Sequence, residues 1–146
     1  MNLISSDRPL DRAYRYADDA LSGRVTVCKK VKMSCERFHR QLEDAAHNRS
    51  PFVFDEDKAN RPSAYIEKFL APTKGAYSKM TLMPWQCFVE SQLFGWVHEE
   101  TRLRMYREGL VCVGSGNGKS TMMSGNAAFG ASKDDERGPQ VLLLAN

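Results

Sequence analysis

The feature that constrains the fold most is a glycine-rich loop between a short apolar run and a helical segment. Residues 114–121 read Gly-Ser-Gly-Asn-Gly-Lys-Ser-Thr, and residues 110–113 before them read Leu-Val-Cys-Val. A short, unbroken apolar run with β-branched residues is typical of a parallel strand covered on both faces. Residues 140–145, Gln-Val-Leu-Leu-Leu-Ala, have the same character. With a helix after the loop, the order strand, loop, helix, strand predicts one βαβ unit.

The loop carries the residue types that a bound polyphosphate requires. Glycines let backbone amides approach phosphate oxygens closely, because a Cβ would collide with them. The following helix adds N–H groups and a favourable dipole at its N-terminus. The glycines that would wrap the phosphates are Gly114, Gly116 and Gly118. Lys119 would reach the terminal phosphates and supply transition-state charge, Ser120 would contact magnesium, and Thr121 would support the first helical turn. ATP and magnesium are therefore the predicted cofactors.

The spacing departs at one position from the standard phosphate-loop pattern. That pattern places a glycine five residues before the glycine of the Gly-Lys pair, where this chain has Val113. The apolar run before the loop and the helix after it are the context that the motif demands. Nucleotide phosphate binding is therefore favoured over a plain glycine-rich turn. The predicted fold class is α/β, with a helical N-terminal lead followed by the beginning of a P-loop NTPase whose parallel sheet is incomplete.

The carboxylates that ATP hydrolysis requires do not follow the predicted strands. In P-loop ATPases an acidic residue that holds magnesium and a glutamate that activates water follow a later aliphatic strand. Asp134, Asp135 and Glu136 instead precede the strand predicted at 140–145, and we expect them to be solvated. So small a sheet would also leave an unpaired edge. The sequence therefore predicts a truncated product or N-terminal piece that is marginally stable and inactive as an enzyme on its own.

The first half of the chain is predicted to be helical. Residues 11–21 form a short helix that Gly23 ends. Apolar residues at intervals of three and four predict a longer amphipathic helix. They are Val27, Val31, Cys35, Phe38, Leu42 and Ala45. Helix is expected to resume at least from Pro62, because proline suits a first turn. A connector at 71–75 separates a helical lead, residues 1–75, from the first part of a P-loop ATPase domain, residues 76–146.

Residues 83–86, Met-Pro-Trp-Gln, predict the start of a further helix, with proline again in the first turn. The side chains expected on one side of this helix are Trp85, Phe88, Val89, Gln92 and Trp96. Spacing alone therefore favours a capped amphipathic helix with a core tryptophan.

Composition and charge exclude several classes of protein. Apolar residues make up 42% and charged residues 27% of the 146 residues, which is typical of a folded soluble protein. The net charge of +3 permits contact with nucleic acid without requiring it. The basic residues within 24–40 form either a solvated helix face or a docking surface for DNA or another partner. The longest aliphatic run, residues 141–145, is too short to cross a bilayer. The cysteines and histidines do not have the spacing of a zinc site.

These segments, in this order, resemble the large subunit of the tailed-phage terminase, the ATP-driven motor and endonuclease that packages viral DNA into the procapsid. In the helical lead the likeness lies in Tyr-Ala-Asp-Asp at 16–19 and Val-Cys-Lys-Lys-Val-Lys at 27–32. Leu-Met-Pro-Trp-Gln at 82–86 is similar to the family's adenine-side element, and Asn-Gly-Lys-Ser-Thr at 117–121 is similar to its phosphate loop. That loop often lacks the early glycine too, so Val113 agrees with the resemblance.

The resemblance implies that Gln86 recognises the adenine edge through its side-chain amide, which both donates and accepts hydrogen bonds. The residues that match the family's nucleotide contacts are Gln86, Gly116, Asn117, Gly118, Lys119, Ser120 and Thr121. The family often places an arginine and a lysine just before Asn-Gly-Lys, where this chain has Ser115 and Gly116. The candidates for that missing charge are Arg102, Arg104, Arg107 or an arginine of a neighbouring subunit.

The resemblance also implies double-stranded viral DNA, a portal protein and the terminase small subunit as partners, with an oligomeric ring in the complete motor. It also implies that no membrane is a partner and that the protein lies in the cytoplasm of an infected or lysogenic bacterial host. Two alternatives stay open: a fragment of another, helicase-like P-loop ATPase, and a non-catalytic module whose basic helix binds DNA or a protein. DNA binding with a steep salt dependence and no nucleotide affinity would favour the module.

Overall fold

The computed structural model describes residues 7–71 and 79–134, which form five helices and one two-stranded sheet. The elements in chain order are α1 (Pro9–Ser22), α2 (Lys29–Ala46), β1 (Phe52–Phe54), α3 (Glu56–Phe69), α4 (Pro84–Gly95), β2 (Trp96–His98) and α5 (Lys119–Ser132). The two strands pair antiparallel, with Phe54 opposite Trp96 and Phe52 opposite His98. The described part of the chain is therefore mainly helical.

The helices predicted in the first half are confirmed. Gly23 ends α1 in the left-handed conformation, with a φ of +81°, which glycine adopts without strain. In α2 the predicted apolar stripe faces the core, where Cys35 and Phe38 are buried. The basic side chains of the same helix are exposed. They are Lys29, Lys30, Lys32, Arg37 and Arg40.

The helix predicted at least from Pro62 is confirmed, and it begins six residues earlier. α3 begins at Glu56 because the Asp55 carboxylate accepts a hydrogen bond from the backbone N–H of Lys58 at 3.0 Å. An aspartate at this position satisfies one of the N–H groups that a helix start leaves unpaired, and the acidic first turn complements the dipole. Pro62 consequently lies inside α3 and is buried there. The capping aspartate determines the helix start more strongly than the proline does.

The prediction that the buried side chains of the fourth helix lie on one side is wrong. α4 begins at Pro84 as expected, but its buried residues lie on several sides. They are Gln86, Cys87, Phe88, Glu90, Ser91, Gln92 and Gly95. Trp96 is not in this helix, because it begins β2. A helix that is covered on most sides lies between other elements rather than on the surface of the fold.

The aromatic ring of Phe38 lies where five elements meet. Its centroid is 5.6 Å from that of Tyr14, 5.3 Å from Phe54, 5.7 Å from Phe88 and 6.3 Å from Trp96. These rings come from α1, β1, α4 and β2, and Phe38 itself comes from α2. One hydrophobic core therefore includes residues from both sides of the boundary proposed at residue 75. The division of the chain into 1–75 and 76–146 stays a prediction.

Glu67 of α3 holds the segment that leads into α4. Its Oε1 accepts hydrogen bonds from the Arg12 guanidinium at 2.6 Å and from the backbone N–H of Leu82 at 2.7 Å. Both side chains of the Arg12–Glu67 pair are largely buried, so this charge-assisted contact is stronger than a surface ion pair. It ties α1 and α3 to the residues immediately before α4.

The structure corrects the strand predicted at 110–113. These residues form no strand, and the side chain of Leu110 is 90% exposed. A buried parallel strand needs paired neighbours at its edges and cover on both faces, and the described residues provide neither here. The second predicted strand, at 140–145, lies outside the described residues. The parallel sheet and the βαβ unit therefore stay predictions.

Gly125 allows α5 to lie directly against α3. A Cβ on Gly125 would be 2.7 Å from both Cδ1 and Cγ1 of the fully buried Ile66. We therefore expect Gly125→Val to lower the free energy of unfolding by about 1–3 kcal/mol, measured by urea denaturation. The matched control is Ser124→Val, because Ser124 precedes it in the same helix and is exposed. Equal stability of the two variants would show that α5 does not pack on α3 as described.

Candidate functional site

The glycine-rich loop leads into α5, and two of its glycines adopt the left-handed conformation. Gly116 has a φ of +81° and Gly118 a φ of +71°, and a residue with a Cβ is strained at such angles. The side-chain amide of Asn117 donates to the carbonyl oxygen of Gly114 at 3.1 Å. Gly118 is the N-cap of α5. The loop is thus a tight turn that ends at the start of a helix, and its residues are exposed.

The first amides of α5 lie before the start of the helical hydrogen-bond ladder. The first bond of the ladder runs from the N–H of Met122 to the carbonyl oxygen of Gly118 at 3.0 Å. The N–H groups of Lys119, Ser120 and Thr121 precede that bond, so they point out of the helix end. They carry the positive end of the helix dipole. Such an arrangement binds anions, and phosphate in particular.

The side chain of Lys119 folds back over the loop. Its Nζ donates to the carbonyl oxygen of Val113 at 3.3 Å, and the residue is exposed. An ammonium group binds a phosphate oxygen more strongly than a neutral carbonyl. The lysine can therefore exchange this backbone contact for a phosphate that enters the turn.

Gln86 of α4 lies against the loop. The residue is only 4% exposed, and its Oε1 accepts a hydrogen bond from the backbone N–H of Met83 at 2.8 Å, which caps α4. A Cβ on Gly118 would be 3.1 Å from the Nε2 of Gln86. The Gln86 side chain thus caps α4 and lies beside Gly118, whereas its recognition of adenine stays a prediction.

Two of the candidate arginines and one of the candidate carboxylates are engaged in ion pairs. Arg104 pairs with Asp134 at 3.0 Å, so the expectation that Asp134 is solvated is wrong, since its side chain is largely buried by this contact. Arg102 pairs with Asp55. Arg107 is exposed. Asp135 and Glu136 lie outside the described residues.

Ser120 is the residue that the sequence assigns to a magnesium ion. Over residues 7–71 and 79–134, no group of three or more His, Cys, Asp or Glu side chains is placed to hold a metal. The hydroxyl of Ser120 is exposed on the first turn of α5, and it is an oxygen ligand of the kind that magnesium accepts beside phosphates. None of the described helices has the length and apolar character needed to cross a membrane.

Sequence reasoning missed a buried contact between α4 and α5. Glu90 of α4 is 0% exposed, and the Nδ2 of Asn126 donates to its Oε1 at 2.8 Å. Burial raises the pKa of Glu90 to about 7, although the bond from Asn126 opposes that shift. One signal was available in the sequence: Glu90 is the single charged residue in the twelve residues of α4.

Together, the turn, the helix end and the lysine are features of the kind that bind anions. Residues 84–146 match the family model described as terminase large subunit, ATPase domain. The match begins at the first residue of α4 and includes Gln86, the loop and α5. It confirms the resemblance to the terminase large subunit over this part of the chain, which is under half of its length. No curated protein and no solved structure matches the chain.

Proposed function

We propose that this chain is the N-terminal, ATP-binding portion of a phage terminase large subunit, the motor and endonuclease that packages viral DNA. The observation that carries the proposal is the proximity of the Gln86 side-chain amide to Gly118, where an added Cβ would be 3.1 Å from Nε2. It brings the start of α4 and the phosphate loop together within the segment that matches the terminase ATPase model.

Each loop residue then has a chemical role toward ATP. The amides of residues 116–121 surround the phosphates, and the ammonium group of Lys119 neutralises their charge. Ser120 supplies a hydroxyl to the magnesium ion that ATP carries. Asn117 holds the turn closed through the carbonyl oxygen of Gly114, and Thr121 lies in the first turn of the helix. Gln86 recognises the adenine edge.

Binding rather than hydrolysis is the activity we propose for these residues. The Asp134 carboxylate is paired with Arg104 at 3.0 Å, so its charge is already compensated within the protein. In the complete motor, the ATP-binding portion works with double-stranded DNA, a portal protein and the terminase small subunit, as part of an oligomeric ring in the cytoplasm of the bacterial host. The helical lead, residues 1–75, supports the ATPase part, residues 76–146, through the shared core around Phe38.

Gln86→Ala tests the proposed adenine contact. We expect the affinity for ATP to fall about tenfold, because one or two hydrogen bonds to the base are lost. The affinity for inorganic tripolyphosphate, which has no base, should stay unchanged. Isothermal titration calorimetry on the 146-residue chain measures both. Circular dichroism should show that α4 persists despite the loss of its capping side chain.

Two other outcomes would contradict the proposal. If the substitution weakens tripolyphosphate as much as ATP, Gln86 acts only by shaping the loop. If the chain binds no nucleotide but binds DNA with a steep salt dependence, the exposed basic face of α2 is the functional surface and the alternative of a binding module is correct.

A further inference from the structure

The contact between α4 and α5 contains two buried oxygen atoms that lack hydrogen-bond partners. Among the described residues, neither Oε2 of Glu90 nor Oδ1 of Asn126 has a partner. Both atoms belong to side chains that already share one hydrogen bond, from Nδ2 of Asn126 to Oε1 of Glu90 at 2.8 Å. Leaving two polar atoms unpaired in the interior costs free energy, so the arrangement needs an explanation.

A single proton on Glu90 accounts for both atoms. An ionised carboxylate only accepts hydrogen bonds, and the amide oxygen of asparagine only accepts them too, so the two oxygens cannot pair. A protonated carboxyl has one O–H donor. A carboxylic acid and a primary amide can then form two antiparallel bonds, one from Nδ2 to Oε1 and one from Oε2 to Oδ1.

We propose that Glu90 is protonated in the folded protein and that its two-bond pair with Asn126 positions α5, and with it the phosphate loop, against α4. The expected effect of this pair on ATP affinity rests on the function proposed above. The protonation of Glu90 and its pairing with Asn126 do not depend on that function. Gln86 precedes Glu90 by one helical turn, so both side chains lie on the same face of α4. This face contacts Gly118 through Gln86 and Asn126 through Glu90, and the pair therefore lies on the α5 side, beside the nucleotide contact.

The surroundings of Glu90 agree with a neutral side chain. Burial is the main cause of its raised pKa, and the bond from Asn126 acts in the opposite direction. The charged groups that act on the neighbouring Cys87 thiol of the same helix are Arg12 from α1, Glu67 from α3 and Glu90 itself. Arg12 and Glu67 pair with each other at 2.6 Å, so their charges largely compensate.

The sign of the pH dependence follows from the raised pKa of this carboxyl, about 7 in the folded protein against an ordinary value of 4.5. Between these values the folded protein binds more protons than the unfolded chain, so this group makes stability fall as pH rises. The two-bond pair is complete on the acid side of about pH 7 and is lost above it. ATP affinity should fall in the same direction.

The test compares the 146-residue chain with Glu90→Gln, which is neutral at every pH and offers an N–H donor in place of the O–H. We expect the melting temperature of the unchanged protein to decrease, relative to that of the variant, as the pH rises from about 5.5 to about 8.5. ATP affinity should fall about tenfold in the unchanged protein over this range and stay constant in the variant. The exposed Glu43→Gln should behave like the unchanged protein.

Infrared spectroscopy gives a second readout, which reports the protonation of Glu90 directly. A protonated carboxyl has a C=O stretch above the amide I band, and we expect this band on the acid side of about pH 7 and its loss in Glu90→Gln. Parallel melting curves of the two proteins at all pH values, or no such band, would overturn the proposal. If the band and the melting difference are present but ATP does not bind, the pair stands and the nucleotide function fails.

Discussion

Replacing Phe38 with alanine is expected to lower the free energy of unfolding by about 3–5 kcal/mol. The side chain is 1% exposed and contacts four aromatic rings that come from four different elements. Rings fixed on separate helices and strands cannot all move into the space that the phenyl group leaves, so a cavity remains. Since a domain of this size is stable by roughly 5–15 kcal/mol, the loss is a large share of the total.

Urea denaturation followed by tryptophan fluorescence measures this loss, because Trp96 lies in the same cluster. The control is Met33→Ala, since Met33 is on the same helix but 55% exposed. It should change the free energy of unfolding by no more than about 0.5 kcal/mol. If Phe38→Ala costs less than about 1 kcal/mol, α1 and α2 do not share a core with α4.

The second large effect is expected for Lys119→Ala, which should lower the affinity for ATP by about ten- to a hundredfold. The lysine is the one side-chain cation of the loop over residues 114–121, and a hydrogen bond to a charged group contributes about 1.5–3 kcal/mol. Calorimetric titration with MgATP measures the change. Stability should stay the same, because Lys119 is exposed and its described bond is to a loop carbonyl.

Lys133→Ala is the matched control, because Lys133 follows the last turn of the same helix and is exposed. It removes the same charge from the chain but at the end remote from the loop, so ATP affinity should be unchanged. An equal loss in both variants would mean that ATP is attracted by net charge alone. Unchanged binding in Lys119→Ala would exclude the loop as the phosphate site.

Sequence periodicity predicted the helices whose burial is one-sided. In α2 the apolar residues recur at intervals of three and four, and the structure buries Cys35 and Phe38 of that stripe. The same reasoning failed for α4, because a helix that is covered on most sides has no polar face to reveal its orientation. For α3 the sequence left the exact start open, because both Asp55 and Pro62 are start signals, and the structure places the start after Asp55.

The run at 110–113 shows why strands are harder to predict than helices. An α-helix forms its hydrogen bonds within itself, whereas a strand needs a partner elsewhere in the chain. Leu-Val-Cys-Val has the composition of a buried strand, yet no described strand pairs with it. The β1–β2 pair, by contrast, forms from two three-residue segments around Phe54 and Trp96 whose composition alone predicts no pairing.

The residues of the candidate site also divide into those that the sequence could select and those that only the structure brings together. The glycine positions and Lys119 could be selected from the sequence, because the spacing of a phosphate loop reflects local backbone geometry. The resemblance selected Gln86, and only the structure places it beside Gly118. The Glu90–Asn126 contact joins residues 36 positions apart. No local pattern predicts such a pair, apart from the isolated charge in α4.

We propose above all that the amides at the start of α5 bind the phosphates of ATP. The most direct test is a titration of the isotope-labelled chain followed by amide chemical shifts. We predict that ATP and tripolyphosphate both shift the amides of Gly116, Gly118, Lys119 and Ser120, and that adenosine alone does not. Shifts that spare these amides, or that lie instead on the basic face of α2, would contradict the account.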